Sequence, residues 1–505
     1  MKRLILFFLL GLTLQAPADT TLLTKPRLKI LALGNSYTDN YFNLLKEFTD
    51  NSGSDVSDMC LYKISRSFAT FKAWLDMYED KDIYNYYFYK TLGGLNASVQ
   101  QGTGKAGDGT LLRKALTDEQ WDLILIQASS TEATDYDAWV NNGYLDRLLQ
   151  LLKEQQPQAK IGFVMSHSYW DDYVMNYQHS SLERWKLIAG AAKQLMENYD
   201  IELVVPCGTA VENLRASTQN NDYDLTLDGT HLGYGLSRYA AAACCYETLI
   251  APRSGISAMG NPMRHTISPS TTSKYPSVDV TDANAPIAQR AALLAVSDPY
   301  GLNNPEEDVI TITDMGRGHG VCTYSSSYDL DFSKVSGKDL KAYIASGYNA
   351  TSGKVTAVRV KTVPAGTGLF IKGKAGTYKI TRRPTSSDYV NLLVGVPETV
   401  WLTQTDGTYT TYVLARKDGE IGFYALSQDG DFGPHKAYLQ LPTSLVSQAN
   451  TVGISCDDEE KTDGIGCTEI EGNTAPIYTL SGVRMTGRQL PKGLYIVRGK
   501  KMVIK

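Results

Sequence analysis

Short, nearly continuous apolar runs recur between helical patterns over residues 27–302, and few architectures accept that arrangement. Leu28–Leu33 (LKILAL), Leu123–Ile126 (LILI), Ile161–Met165 (IGFVM) and Ile201–Val205 (IELVV) are the clearest. Runs of this kind suit parallel strands covered on both faces. Between them Leu182, Trp185, Ile188, Ala192 and Leu195 fall at three-to-four spacing on one helical face, and Tyr144–Leu152 and Ser237–Leu249 behave likewise. The alternation predicts an α/β/α sandwich around a parallel sheet. Pro286–Val296 reads as a helix packing back on that domain, and Asn303-Asn304-Pro305 as its boundary.

Two motifs occupy telling places in this frame. Gly34-Asn35-Ser36-Tyr37-Thr38 directly follows the first strand, and Asp228-Gly229-Thr230-His231 follows the last strand and precedes the Ser237 helix. Loops leaving the carboxyl ends of parallel strands converge on one edge of the sheet, so Ser36 and His231 can meet there. A serine hydroxyl becomes a useful nucleophile once an imidazole takes its proton, and a carboxylate holds the imidazole in the required tautomer. The competing readings are a plain strand-to-helix serine and a helix-capping aspartate beside a surface histidine.

In strand context and chain order the two motifs resemble those of the SGNH (GDSL-like) hydrolases, in the branch of secreted Bacteroidetes proteins whose first block reads Gly-Asn-Ser. The resemblance covers roughly residues 27–302. It implies a flavodoxin-like fold, no metal, and Ser36, Asp228 and His231 as catalytic triad. Asn35 stands where the wider superfamily has aspartate. No glycine follows the second strand, which ends near Ile64 before Ser65-Arg66-Ser67, and Gln127-Ala128-Ser129-Ser130 replaces the Gly-x-Asn-Asp expected after the third. The backbone N–H of Ser36 is expected as one oxyanion donor, with Gln127 or Ser129 and an N–H near Arg66 as the others. His167 and Trp170, just past the fourth strand, are candidates for substrate contact, His167 alternatively being a satisfied loop histidine.

The remaining chain reads as accessory. From 308 to 455, segments such as Val355–Val360, Gly368–Lys372, Thr377–Thr381 and Tyr409–Ala415 alternate with Gly, Asp and Ser clusters, the pattern of an all-β sandwich or barrel. Residues 456–476 read as a linker and 477–505 as a small β unit resembling a C-terminal sorting tail, which implies outer-membrane secretion machinery as a partner. Residues 1–18 have the form of a signal peptide: Lys2 and Arg3, an apolar Leu4–Leu14, then Ala16-Pro17-Ala18. The expected location is therefore periplasmic or cell-surface, and no later stretch is long and apolar enough to span a bilayer. With 49 basic and 54 acidic residues nothing points to nucleic acid. Among seven cysteines, Cys456 and Cys467 are placed to pair, while Cys244 and Cys245 read as packing residues. No paired Cys-x-x-C or His-Glu-x-x-His motif calls for a metal, and no cofactor is expected. Gly102–Gly107 (GTGKAG) follows a polar stretch and reads as a loop, and Tyr84, Tyr86, Tyr87 and Tyr89 as a packed insertion in preference to a sugar-stacking surface. The expected activity is hydrolysis of a carboxylic ester, with an acylated polysaccharide or small ester as substrate. The alternative is a catalytically silent carbohydrate-binding or adhesion protein.

Overall fold

The computed structural model describes residues 20–79, 86–95, 102–104, 110–173, 179–269, 271–335, 339–417, 419–446 and 449–456, then short strand segments between 468 and 504. The expected signal peptide and nearly all of the expected linker lie outside the described residues. The chain divides into two compact units, one ending at Pro305 and the other starting at Glu306.

The first unit is built on a seven-stranded sheet. Its strands are β1 (Leu28–Gly34), β2 (Met59–Ser65), β3 (Tyr86–Gly93), β4 (Gly102–Gly104), β5 (Leu123–Ile126), β6 (Lys160–Val164) and β7 (Leu203–Val205). They lie in the order β4-β3-β2-β1-β5-β6-β7. The β2-β1-β5-β6-β7 portion is parallel, and β3 and β4 extend it antiparallel beyond β2. The parallel portion has the flavodoxin-like order 2-1-3-4-5, with its switch point between β1 and β5, where crevices form outside the carboxyl ends of such sheets.

Both sheet faces are covered, which explains the unbroken apolar runs. Leu28, Ile30 and Ala32 of β1 and Leu123 and Leu125 of β5 enter one core. Leu31, Leu33, Ile124 and Ile126 enter the other. The first core is closed by helices α1 (Ser36–Phe42), Cys207–Arg215, Leu236–Leu249 and Ala285–Ser297, and the second by Phe71–Tyr78, Tyr144–Gln155 and Ser181–Asn198. Cys244 and Cys245 are fully buried in the Ala-rich Leu236–Leu249 helix and unpaired, as packing residues would be. One expectation needs correction. Gly102–Gly104, read as loop from its polar glycine-rich surroundings, is an edge strand paired to β3, while residues 105–107 lie outside the described residues. The tyrosine-rich segment continues the sheet itself, with Tyr87 and Tyr89 opposite Ser65 and Lys63 on β2; Tyr84 lies outside the described residues.

The second unit is β-rich. Glu307–Ile312, Leu330–Asp331, Thr362–Val363 and Gly376–Arg382 form one four-stranded sheet, and Leu340–Asn349 and Lys354–Val360 are neighbours in a larger one. Along Leu340–Asn349, Leu340, Ala342 and Ile344 enter one core while Tyr343 and Ala345 enter another, so this strand too is buried on both faces. Ile477–Thr479, Arg484–Met485, Gly493–Val497 and Lys500–Ile504 make a separate four-stranded antiparallel sheet. Cys456 is disulfide-bonded, whereas Cys60, Cys207, Cys244, Cys245 and Cys322 are free; Cys467, its expected partner, lies outside the described residues.

Candidate active site

Ser36 is placed by the turn from β1 into α1. Asn35 caps that helix, its Oδ1 accepting from the Tyr37 N–H at 3.0 Å while its Nδ2 donates to the Ala128 carbonyl at 3.3 Å beyond β5. Only an amide can do both, which gives a physical role to asparagine where aspartate is usual. A Cβ on Gly34 would come within 2.0 Å of Thr38 Oγ1, so glycine is what lets α1 start this close to the strand. Ser36 occupies the first helical position, where an N–H has no intrahelical acceptor and points at whatever approaches the helix start.

His231 arrives on a tight turn. Thr226 and Leu232 form an isolated antiparallel bridge, and the Leu227 N–H donates to the His231 carbonyl at 2.8 Å. Asp228 organises the loop between them. Its Oδ1 accepts from the Thr230 N–H at 2.9 Å, the Thr230 hydroxyl at 3.0 Å and the His231 N–H at 2.8 Å. Its Oδ2 lies 2.7 Å from His231 Nδ1, and His231 Nε2 lies 3.0 Å from Ser36 Oγ. Burial alone would raise the Asp228 pKa, but the hydrogen bonds from the His231 ring and from the His231 and Thr230 N–H groups outweigh it and hold the carboxyl well below the usual range. Gly229 has φ 98°, and a Cβ there would sit 2.6 Å from the Tyr173 ring, so the second residue of the motif must be glycine.

Behind these residues stands a buried support that the motifs did not announce. Asn40 is one turn along α1 from Ser36. It donates to the Ser36 carbonyl at 2.7 Å and accepts from the Leu232 N–H at 2.6 Å, tying the serine helix to the residue after the histidine. Its only sequence signal is an asparagine in a helix interior, four residues past the serine, where it is usually unfavourable. Tyr37 is also buried, its ring stacked on His167 at 4.0 Å and edge-on to His231 at 5.8 Å.

Several expected contacts fall elsewhere. His167 is 1% exposed. Its Nε2 lies 2.6 Å from the Thr230 carbonyl and its Nδ1 2.8 Å from the Tyr41 hydroxyl. A carbonyl only accepts, so Nε2 carries the proton and Nδ1 accepts from Tyr41. Burial holds the His167 pKa well below its ordinary value. It is therefore a brace for the Asp228–His231 turn and not a substrate contact. The expected oxyanion donors are corrected too. The Arg66 N–H is spent on the Gly34 carbonyl at 3.0 Å. Gln127 is buried with Oε1 accepting from Thr38, and its Nε2 is enclosed away from the surface. Ser129 is fully buried, with its hydroxyl on Thr131. Trp170 does stand beside the site. Its N–H donates to the Gly229 carbonyl at 2.9 Å, and its half-buried ring meets Tyr223 at 5.4 Å and Tyr275 at 5.0 Å. Among the described residues no group of three or more His, Cys, Asp or Glu side chains is arranged to hold a metal ion.

A doubly covered α/β sheet that presents a serine, a histidine and an aspartate hydrogen-bonded in series at its carboxyl edge has the arrangement of serine hydrolases. Residues 29–266 match the family model described as Domain of unknown function (DUF4886). Among solved structures, a DUF4886 family protein from Bacteroides uniformis is 21% identical, with 55% of this chain and 98% of that chain covered and a TM-score of 0.43. A protein from Slackia heliotrinireducens assigned to the SGNH hydrolases is 19% identical over 44% of this chain and 98% of that one, with a TM-score of 0.29. A protein from Agrobacterium tumefaciens assigned as an arylesterase is 13% identical over 45% and 99%, with a TM-score of 0.27. No curated protein matches the chain.

Proposed function

We propose that the first unit is a secreted serine esterase that removes acyl groups, acetyl foremost, from a polysaccharide. The observation that carries this reading is the relay from Ser36 Oγ to His231 Nε2 at 3.0 Å and from His231 Nδ1 to Asp228 Oδ2 at 2.7 Å. Ser36 attacks the ester carbonyl as His231 takes its proton. The alcohol leaves with that proton, and water then releases the acid from the acyl-enzyme by the same route. Asp228 stays ionised throughout and holds the imidazolium. The Ser36 N–H meets the developing oxyanion. Secretion rests on residues 1–18, and the sugar on the accessory β units and on the aromatic group of Trp170, Tyr223 and Tyr275 beside Gly229.

The test is covalent capture. A fluorophosphonate should add once to the purified chain, with fluoride displaced by Ser36 Oγ, and the mass increment should vanish in Ser36→Ala. A second reading, a silent glycan-binding domain, draws on the engagement of the Arg66 N–H by the Gly34 carbonyl and on the burial of Gln127 and Ser129. An unlabelled wild-type chain favours that reading.

A further inference from the structure

A cavity of about 520 Å³ opens directly beside Ser36, and its walls are cationic. Ser36, Lys63, Tyr89, Lys90, Tyr234 and Arg238 line it, together with Asp39 and Lys46. The charges are not all balanced within the protein. Lys63 is paired with Asp39, whose carboxylate also accepts from Ser65 and Tyr89, and Lys46 is paired with Asp50. Lys90 makes one hydrogen bond, to the Leu95 carbonyl at 3.3 Å, and no ion pair among the described residues. Arg238 is the more telling. It is 8% exposed, its Nε donates to the Leu232 carbonyl at 3.0 Å, and its guanidinium lies over the Tyr234 ring at 4.4 Å. Its other N–H donors have no acceptor, and no carboxylate lies within ion-pair distance among the described residues. A charge buried to this degree is ordinarily paired, because desolvation is costly without a partner. Arg215 is buried against Glu212 and Arg382 against Asp308, whereas Arg184, equally buried, donates to the Ser130 carbonyl and lies over the Tyr169 ring with no ion pair among the described residues. Arg238 differs from Arg184 in lining the cavity beside Ser36.

We propose that the partner arrives with the substrate: the ester hydrolysed at Ser36 belongs to a sugar that carries an oxyanion group, a carboxylate, sulfate or phosphate, which docks in this cavity against Arg238 and Lys90. The inference rests on the esterase reading and narrows it to acidic glycans. The guanidinium fork suits the paired oxygens of such a group, and Lys90 adds a point charge. Tyr234 and Tyr89 line the same cavity, with Arg238 over the Tyr234 ring and Lys63 over the Tyr89 ring.

Calorimetry on the full chain tests this with four probes: glucuronate, glucose 6-sulfate, glucose 6-phosphate and neutral glucose. At least one charged sugar should bind wild type while glucose does not, and the tightest names the group. Binding should weaken by about tenfold or more in Arg238→Gln and in Lys90→Gln, the scale of a lost charge-assisted hydrogen bond. Arg238 also braces Leu232, so Lys90→Gln serves where Arg238→Gln fails to fold. Binding should persist in Ser36→Ala. Equal binding of charged and neutral sugars, or charged-sugar binding unchanged in both variants, overturns the proposal. Binding and turnover are separate readouts. Absent anion binding with p-nitrophenyl acetate hydrolysis intact overturns the cavity assignment alone, whereas anion binding without any ester turnover overturns the esterase reading.

Discussion

Asp228 spends one oxygen on three donors and the other on the His231 ring, so it does two jobs at once. It shapes the turn and it sets the tautomer. The two can be separated by Asp228→Asn. An amide oxygen in place of Oδ1 still accepts from Thr230 and His231, but an amide nitrogen in place of Oδ2 no longer accepts from Nδ1. The variant should fold with wild-type stability to within about 1–2 kcal/mol, yet lose about a thousandfold or more in kcat; urea unfolding and ester kinetics measure the two. Because the wild-type carboxyl is held well below the usual range, it remains ionised across ordinary acidic pH. The acid limb of the kcat/KM profile therefore does not belong to Asp228. The hydrogen-bonded series Ser36–His231–Asp228 was legible because each residue lies in a short motif whose spacing places it. Asn40 was not, since its role depends on the Leu232 N–H, 192 positions away.

At the scale of elements, the site is a meeting of three loops at the carboxyl edge, and the loop after β6 holds the others from behind. His167 joins the Thr230 carbonyl to Tyr41 on α1 while stacking on Tyr37. Burial keeps this imidazole neutral, with Arg215 adding to the effect. In the unfolded chain it titrates near pH 6.5. With the folded value depressed, the unfolded state binds the extra proton first. Its cost to stability is absent above about pH 6.5 and grows as pH falls toward the folded value. Wild type should therefore lose thermal stability between pH 7 and pH 5 more steeply than His167→Gln, as differential scanning calorimetry can show. An equal slope in both removes His167 from the account. The main-sheet strands were legible because burial on both faces leaves unbroken apolar runs. The antiparallel β3 and β4 were harder: Gly102–Gly104 is too short and too polar to declare a strand, and only its pairing to Tyr86–Phe88 makes it one. The Gln127 and Ser129 oxyanion assignments failed for a related reason. A position after a strand shows which edge a residue occupies, but not whether its side chain turns outward or, like Gln127 and Ser129, into the interior.

For the whole molecule, every residue of the relay and of the cationic cavity belongs to the unit that ends at Pro305. If chemistry resides there alone, a chain truncated after Pro305 should hydrolyse a small ester with kcat/KM within about twofold of the full chain, while turnover of an acylated polysaccharide falls. An equal loss on both substrates would assign the second unit a part in the chemistry. The most direct measurement of the central claim is hydrolysis of p-nitrophenyl acetate by the full chain beside Ser36→Ala and His231→Ala. The relay predicts turnover by wild type and a fall of both variants to background; undiminished turnover in either variant, or none in wild type, would contradict it.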